Sequence, residues 1–186
     1  MAIQSRALTF EDLQRMRETR DERLELIEGE LYVTPSPTPL HQDISGNLYI
    51  LFRRVVFDSG RGRVYFAPLD IRLAETTIVQ PDLVIILSNR PVLTAARVEG
   101  APSLAVEIIS PSTSAYDRVT KRNLYARHGV PEYWLVNPDA ETVTIFSDPH
   151  DGRYQAEQTT IDVAVSATIP GLSADLKALF APVPGL

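Results

Sequence analysis

Apolar and polar residues repeat at two different periods along this chain, and the two periods predict its helices and strands. Helical spacing of apolar residues over 40–57 and 117–128 predicts two longer helices. Thr9 is a suitable N-cap for a short helix near the start, and a short helix is predicted at 173–180. Short apolar or alternating runs bounded by turn residues predict strands at 24–27, 30–33, 63–67, 69–73, 81–87, 104–110, 132–136 and 142–146.

The connections between these elements complete the prediction. Glu28-Gly29 and Asp151-Gly152 each predict the turn of a β-hairpin, and Thr76-Thr77 predicts a further turn. Residues 88–103 read as a loop with one helical turn at 93–98. Gly129 is a suitable end for the helix at 117–128, because Pro131 prevents its continuation.

The order of the elements predicts an α/β fold. A helix lies between the strands at 104–110 and 132–136, which favours parallel pairing with a right-handed crossover. We therefore expect a sandwich around a central mixed β-sheet flanked by helices, with an N-terminal helix and β-hairpin. A chain of 186 residues that is 44% hydrophobic can bury one sizeable core, so residues 1–186 are predicted to form a single domain.

Composition limits the classes of function. The chain has no cysteine, which excludes disulfides and thiolate metal sites. It has no signal-like start and no apolar run of about 18 residues, so we expect a cytoplasmic protein without a membrane partner. A net charge of −6 argues against a wholly nucleic-acid-binding surface but permits a small basic groove. Clusters of this kind are more often simply solvated surfaces, and the candidate arginines are Arg53, Arg54, Arg61, Arg63, Arg118, Arg122 and Arg127.

Two carboxylates stand in or beside strands that read as buried. Glu107 interrupts an otherwise apolar run, and a buried carboxylate needs a cation, a donor network or an exposed groove. The alternative is that Glu107 faces water on an edge strand. Asp82 follows Pro81 before a strand, which is also ordinary turn chemistry. Paired carboxylates without cysteine favour a hard divalent cation, Mg²⁺ or Mn²⁺, held by Asp82 and Glu107.

Lys121 is the third candidate. At helical spacing it shares a face with Leu124 and Tyr125. The chain has only two lysines, Lys121 and Lys177, so a lysine on an inward face is notable. The alternative is an ordinary helical ion pair between Lys121 and Asp117.

Several motifs now combine in a fixed order along most of the chain. They are Glu25-Leu26-Ile27-Glu28-Gly29-Glu30, His41-Gln42, Ala67-Pro68-Leu69-Asp70, Gln80-Pro81-Asp82, Val106-Glu107-Ile108-Ile109-Ser110-Pro111-Ser112-Thr113, Asp117, Lys121, Tyr125, Gly129-Val130-Pro131-Glu132-Tyr133-Trp134 and Ile169-Pro170-Gly171-Leu172. In this order they resemble the Uma2 family, formerly a domain of unknown function, which is placed in the PD-(D/E)XK nuclease superfamily.

The resemblance implies a restriction-endonuclease-like fold and a metal-dependent endonuclease that hydrolyses DNA phosphodiester bonds. It implies catalytic roles for Asp82, Glu107 and Lys121, with Glu25 and His41 flanking the metal site. The superfamily motif has a lysine two residues after the strand glutamate, where this chain has Ile109. The resemblance implies that the lysine has moved onto the following helix, at Lys121.

Other functions remain open. A nuclease fold that no longer cuts could serve as a protein or nucleic-acid interaction module. Asp82 and Glu107 could instead act as an acid and base pair on a glycoside without any metal. Asp70 is a further candidate ligand, although a residue at a strand end is more often structural. Because related enzymes often act as dimers, the resemblance implies a possible homodimer.

Overall fold

The computed structural model describes residues 6–90, 93–110 and 116–181, with the backbone alone at 116–118. Its helices are α1 (Phe10–Arg17), α2 (Pro39–Phe52), α3 (Arg122–Arg127) and α4 (Leu176–Leu179). One π-helical turn, Arg53–Phe57, continues α2, and another, Tyr116–Lys121, leads into α3. The strands are β1 (Arg23–Ile27), β2 (Glu30–Thr34), β3 (Gly62–Phe66), β4 (Ile71–Ala74), β5 (Thr77–Val79), β6 (Leu83–Leu87), β7 (Val98–Glu99), β8 (Leu104–Ile108), β9 (Glu132–Asn137), β10 (Thr142–His150), β11 (Arg153–Thr160), β12 (Val163–Val165) and β13 (Ser173–Asp175).

A six-stranded mixed sheet forms the centre of the fold, in the order β11-β10-β9-β8-β6-β3. Strands β8 and β9 run parallel, as the strand–helix–strand order predicted, and their other neighbours are antiparallel. The two apolar runs of the sequence form β6 and β8, which are buried along almost their whole length. This arrangement confirms the predicted mixed sheet.

A second sheet of five strands, β2-β1-β5-β4-β7, lies beside the central one. It contains the predicted N-terminal hairpin, in which β1 and β2 are joined at Glu28 and Gly29 with φ angles of 52° and 85°. Positive φ at both turn residues is the geometry that two-residue hairpins favour. The predicted fold class is confirmed, and the hairpin proves to be part of a second sheet that the sequence did not specify.

The faces of the central sheet pack against different elements. Apolar side chains of α2, together with the chain after Ala164, cover one face. The opposite face packs against the five-stranded sheet and α3, with residues such as Ile27, Ala105 and Tyr125 in one cluster. Because side chains alternate across a strand, Glu107 lies on this second face, between the two sheets.

One local prediction, the helical turn at 93–98, is wrong, and two others are confirmed with shifted bounds. The turn predicted at Thr76-Thr77 lies at Glu75 and Thr76, and Thr77 begins β5, where its buried hydroxyl accepts a hydrogen bond from the Glu28 backbone. Residues 93–98 form no helical turn, because Leu93 and Val98 bridge and the buried Val98 begins β7 beside β4. The short helix predicted at 173–180 is present as α4 at Leu176–Leu179, and the residues before it form β13, which pairs with β12.

The remaining helix predictions are confirmed. Thr9 caps α1 and completes a capping box with Asp12. The helix predicted at 40–57 corresponds to α2 and its π-helical continuation, and Gly129, at φ 70°, follows the end of α3. Among the described residues, no helix has the length and apolar character needed to cross a bilayer.

Candidate functional site

One pocket of about 590 Å³ brings together the five side chains that the sequence singled out. Glu25 comes from β1, His41 from α2, Asp82 from the residue before β6, Glu107 from β8 and Lys121 from the π-helical turn before α3. The pocket therefore lies at one edge of the interface between the two sheets, next to the first turn of α2.

Asp82 and Glu107 face the pocket from neighbouring strands. Leu83 pairs with Val106 in the antiparallel β6–β8 ladder, so the next pair outward is Asp82 with Glu107. Opposed residues of an antiparallel pair project to the same face, with Cβ atoms about 5 Å apart. The ladder itself thus fixes the proximity of the two carboxylates.

Glu107 is 4% exposed and is held by two donors. Lys121 Nζ donates a hydrogen bond of 2.8 Å to Glu107 Oε1, and the Tyr125 hydroxyl donates one of 2.7 Å to the same oxygen. Burial, followed by the neighbouring charges of Glu107 and Glu25, raises the pKa of Tyr125 well above the ordinary tyrosine value of 10.0. Tyr125 therefore remains a donor to Glu107 throughout the neutral range.

Lys121 joins two carboxylates that come from different sheets. Its Nζ lies 3.1 Å from the carboxylate oxygens of Glu25, and the lysine is only 3% exposed. Glu25 also accepts a hydrogen bond of 2.6 Å from the Gln80 backbone N–H, which fixes its orientation. A buried ammonium between two carboxylates is the compensation that buried charges require.

The expected alternative partner of Lys121 lies outside the described side chains. The Asp117 side chain and the Pro111-Ser112-Thr113 part of the motif are not among the described residues. Lys121 shares its burial with Leu124 and Tyr125, as the sequence predicted, whereas His128 is only partly buried. Among the described side chains, Lys121 is ion-paired with Glu25 and Glu107.

His41 holds Asp82 from the opposite side of the pocket. Thr38 caps α2, which places His41 in the first turn, and His41 Nε2 lies 3.0 Å from Asp82 Oδ2. Because an ionised carboxylate can only accept, the histidine nitrogen is the donor. The Ile108 backbone N–H donates a second hydrogen bond of 2.8 Å to Asp82 Oδ2. None of the described residues donates to Asp82 Oδ1, so this oxygen is available for a ligand.

Asp70 has a structural role in this arrangement. Its two oxygens accept hydrogen bonds of 2.7 and 3.0 Å from Arg17, and Gln80 Nε2 donates a third of 2.9 Å. Asp70 does not line the pocket, so the structure gives no support to a ligand role for it.

Arg23 is a pocket residue that the sequence did not single out. It shares a face of β1 with Glu25 and Ile27, and burial increases from Arg23 at the mouth to the other two inside. Arg23 makes no ion pair with any described residue, and its buried Nε has no hydrogen-bond partner among them. The sequence around Arg23 looks like that of any charged surface residue at the start of a hairpin strand, so it does not predict that Arg23 lines the pocket.

The carboxylates fit a metal site with two protein ligands and not one with three or more. No group of three or more His, Asp or Glu side chains among the described residues could enclose an ion by itself. Mg²⁺ commonly uses only one or two protein carboxylates and completes its octahedron with waters and substrate phosphate. The open Oδ1 of Asp82 and the adjacent Glu107 fit such a two-carboxylate site.

Comparison with known families now extends this picture. The model of the Uma2 family, described as "Putative restriction endonuclease", matches residues 10–177. The chain belongs to the Uma2 family. The match spans both sheets and every residue of the pocket, so the resemblance seen in the motifs is confirmed.

Two further proteins are similar to this Uma2 chain. An uncharacterized protein of Synechocystis sp. is 29% identical over 149 residues, which cover 79% of this chain and 77% of that protein. The crystal structure of a protein from Anabaena variabilis, titled a "putative nuclease belonging to DUF820", superposes with a TM-score of 0.77. It covers 93% of this chain and 97% of its own at 23% identity, which establishes the shared fold.

Proposed function

We propose that this chain is a metal-dependent endonuclease that hydrolyses phosphodiester bonds of DNA in the pocket between its two sheets. One observation carries the proposal. Asp82 and Glu107 occupy opposed strand positions, and Lys121 Nζ donates to Glu107 at 2.8 Å in the same pocket. Family membership, with its description as a restriction endonuclease, supports the same reaction class.

Asp82 and Glu107 would hold the ion, Mg²⁺ or Mn²⁺. Bound there, a divalent cation supplies a Lewis acid for a phosphate oxygen and a water of lowered pKa. Asp82 is prepared for this role because His41 and the Ile108 N–H both bind Oδ2 and leave Oδ1 free. Glu107 is fixed by Lys121 and Tyr125, so neither carboxylate needs to reorganise when a ligand binds.

Lys121 and Arg23 would act on the substrate. The Lys121 ammonium lies beside the carboxylate that would hold the ion, where it can orient the attacking water or offset charge that develops on the phosphate oxygens. The Arg23 guanidinium at the pocket mouth offers planar paired donors that match a phosphate group. Glu25 keeps Lys121 in place and acts through it, as a positioning residue.

A second function is favoured by one feature of the same site. Lys121 already ion-pairs with both Glu25 and Glu107, and no three-ligand cluster occurs among the described residues. A cation would therefore meet a site in which part of the carboxylate charge is already compensated. This feature favours a nuclease fold that binds nucleic acid or protein without cutting.

Cleavage of supercoiled plasmid by the purified protein separates the two functions. We expect nicking that requires Mg²⁺ or Mn²⁺, stops with chelator, and falls below detection in Glu107→Gln, which keeps the shape of the side chain. Glu157→Gln is the matched control, because Glu157 is exposed on β11 outside the pocket. Cleavage that continues with chelator, or that survives Glu107→Gln in a folded protein, would refute the proposal. A wild-type protein that binds DNA without cutting would establish the binding module.

A further inference from the structure

A groove of about 470 Å³ lies outside the proposed active site, along strand β3. We name it the arginine–aromatic groove, and its defining residues are Tyr49, Arg53, Phe57, Arg63 and Phe66. Among the described strands, β3 is an edge of the central sheet and pairs with β6 alone. The groove therefore combines a free strand edge with the outer side of α2.

The arginines of this groove are oriented by one aromatic ring. The guanidinium carbon of Arg53 lies 4.1 Å from the centre of the Phe57 ring, and that of Arg63 lies 5.1 Å from it. Stacking of this kind holds both cations at the surface. Arg53 also lies 3.7 Å from the exposed Asp58, a surface contact that contributes little in water.

An exposed ring stands at the other end of the groove. Phe66 is 56% exposed, and its ring meets Tyr49 edge-on at 5.1 Å between centroids. A large apolar ring that remains this exposed in a pocket is available for stacking. The groove thus offers an aromatic platform and two cations, of which Arg63 lies about 10 Å from Phe66 along β3 and Arg53 lies on the π-helical turn after α2.

The groove lies next to the proposed active site along the β3–β6 ladder. Phe66 pairs with Leu83, and the Ala67 backbone N–H donates a 3.0 Å hydrogen bond to the carbonyl of Asp82. The Phe66 ring shares the α2-covered face with Leu83, whereas the Asp82 side chain projects to the opposite face with Glu107. A strand of nucleic acid that leaves the pocket at Asp82 would therefore pass around the end of the free strand β3 to reach the groove.

We infer that the arginine–aromatic groove binds a single-stranded segment of nucleic acid next to the catalytic pocket, with a base stacked on Phe66 and phosphates at Arg53 and Arg63. The inference rests on the proposed function for its connection to cleavage. Charge complementarity supports this occupant, because cations with aromatic platforms are the usual means of binding single strands. A second copy of the chain is disfavoured, since a positive side chain on an edge strand opposes strand addition.

The test measures binding of a fluorescein-labelled single-stranded oligonucleotide by anisotropy, with chelator present and over a range of salt concentrations. Arg63→Ala should reduce the magnitude of the slope of log K against log salt by about 0.7, the value for one lost phosphate contact on a single strand. Phe66→Ala should weaken binding on the order of tenfold without changing this slope. Arg153→Ala is the matched control, because exposed Arg153 lies on β11, the opposite edge of the same sheet.

The outcomes separate this inference from the proposed function. If Arg63→Ala and Arg153→Ala change the slope equally, or if Phe66→Ala binds normally, the inference is overturned even where plasmid cleavage proceeds. If the groove variants lose affinity as expected while the wild-type protein never cuts, only the proposed function fails. If Arg63→Ala alters the sedimentation coefficient and not the DNA affinity, the groove is an interface between copies and the inference is wrong.

Discussion

Lys121 Nζ donates a 2.8 Å hydrogen bond to Glu107 Oε1, although the lysine stands fourteen residues after the glutamate and on a different element. The residue two positions after Glu107 is Ile109, which belongs to the apolar cluster between the sheets. Replacing Ile109 by lysine would put a charge in that cluster, where burial is costly. The π-helical turn before α3 supplies the ammonium instead and leaves the strand apolar.

Lys121→Met should abolish most activity and destabilise the fold. Loss of one preorganised donor typically lowers kcat by about 10²–10³-fold. The variant also leaves Glu25 and Glu107 without their shared cation, so the free energy of unfolding should fall by about 3 kcal/mol. Plasmid cleavage and urea unfolding measure the two effects.

Two further variants serve to distinguish the catalytic role of Lys121 from its role in stability. Lys177→Met changes the other lysine, which is exposed on α4, and should leave activity and stability unchanged. A double variant, Glu25→Gln with Lys121→Met, removes one uncompensated charge and should recover part of the stability without recovering cleavage. If it recovers cleavage as well, Lys121 serves only to balance charge, and its catalytic role is refuted.

Asp82→Asn should weaken metal binding by more than about tenfold, because it removes one of the two proposed carboxylate ligands. Asparagine keeps the shape and can still accept from Ile108 N–H, so the fold should remain intact. Isothermal titration with Mn²⁺ gives a readout that does not depend on activity. Asp70→Asn, at a carboxylate outside the pocket that pairs with Arg17, should retain Mn²⁺ affinity. Equal Mn²⁺ affinity in both variants would remove Asp82 from the ligand set.

Much of the site could be predicted because its signals are local. A glutamate inside an apolar run identifies Glu107, and helical spacing puts Lys121 on the same face as Tyr125. Antiparallel pairing of the two apolar strands, which the structure supplies, then brings Asp82 beside Glu107. The first two of these steps use burial within a few neighbouring residues, which the order of amino acids expresses directly.

The remainder depends on contacts between distant segments. Strands β5 and β7 have three and two residues, too short for a periodic pattern, so the sequence did not indicate that β1, β2 and β4 belong to a second sheet. That sheet brings Glu25 to Lys121 and carries Arg23 to the pocket mouth. The donor role of Tyr125 was likewise hidden, because its spacing predicted only an apolar face.

Arg23→Ala should reduce kcat/KM for DNA about tenfold, chiefly through a higher KM. The expected role is ground-state phosphate binding, which raises KM when lost. Arg23→Lys keeps the charge but not the planar pair of donors. Its kcat/KM should therefore lie between those of the wild type and Arg23→Ala. Arg20→Ala, which removes an exposed arginine outside the pocket, should match the wild type. If Arg23→Ala leaves KM unchanged, Arg23 does not bind substrate.

Tyr125 gives the fold a specific dependence on alkaline pH. Burial raises the pKa of Tyr125 in the folded state above its value in the unfolded chain. A group with a raised folded pKa contributes stability that is complete below the unfolded pKa, here about 10, and is lost as pH rises toward the folded pKa. Above about pH 10 the unfolded chain releases the Tyr125 proton, whereas the folded protein retains it.

Comparison of the wild type with Tyr125→Phe isolates this effect, since all other tyrosines are shared. Above about pH 10 the free energy of unfolding should fall more steeply in the wild type, by about 1.4 kcal/mol per pH unit, the value for one proton. Urea unfolding at a series of pH values measures both slopes. Tyr154→Phe is the control, because burial raises the pKa of Tyr154 too, while its hydroxyl donates to the Val130 carbonyl outside the pocket. It should flatten the slope similarly but leave cleavage intact, whereas Tyr125→Phe should also lower cleavage by freeing Glu107. Parallel slopes for the wild type and Tyr125→Phe would show that Tyr125 ionises normally in the folded protein.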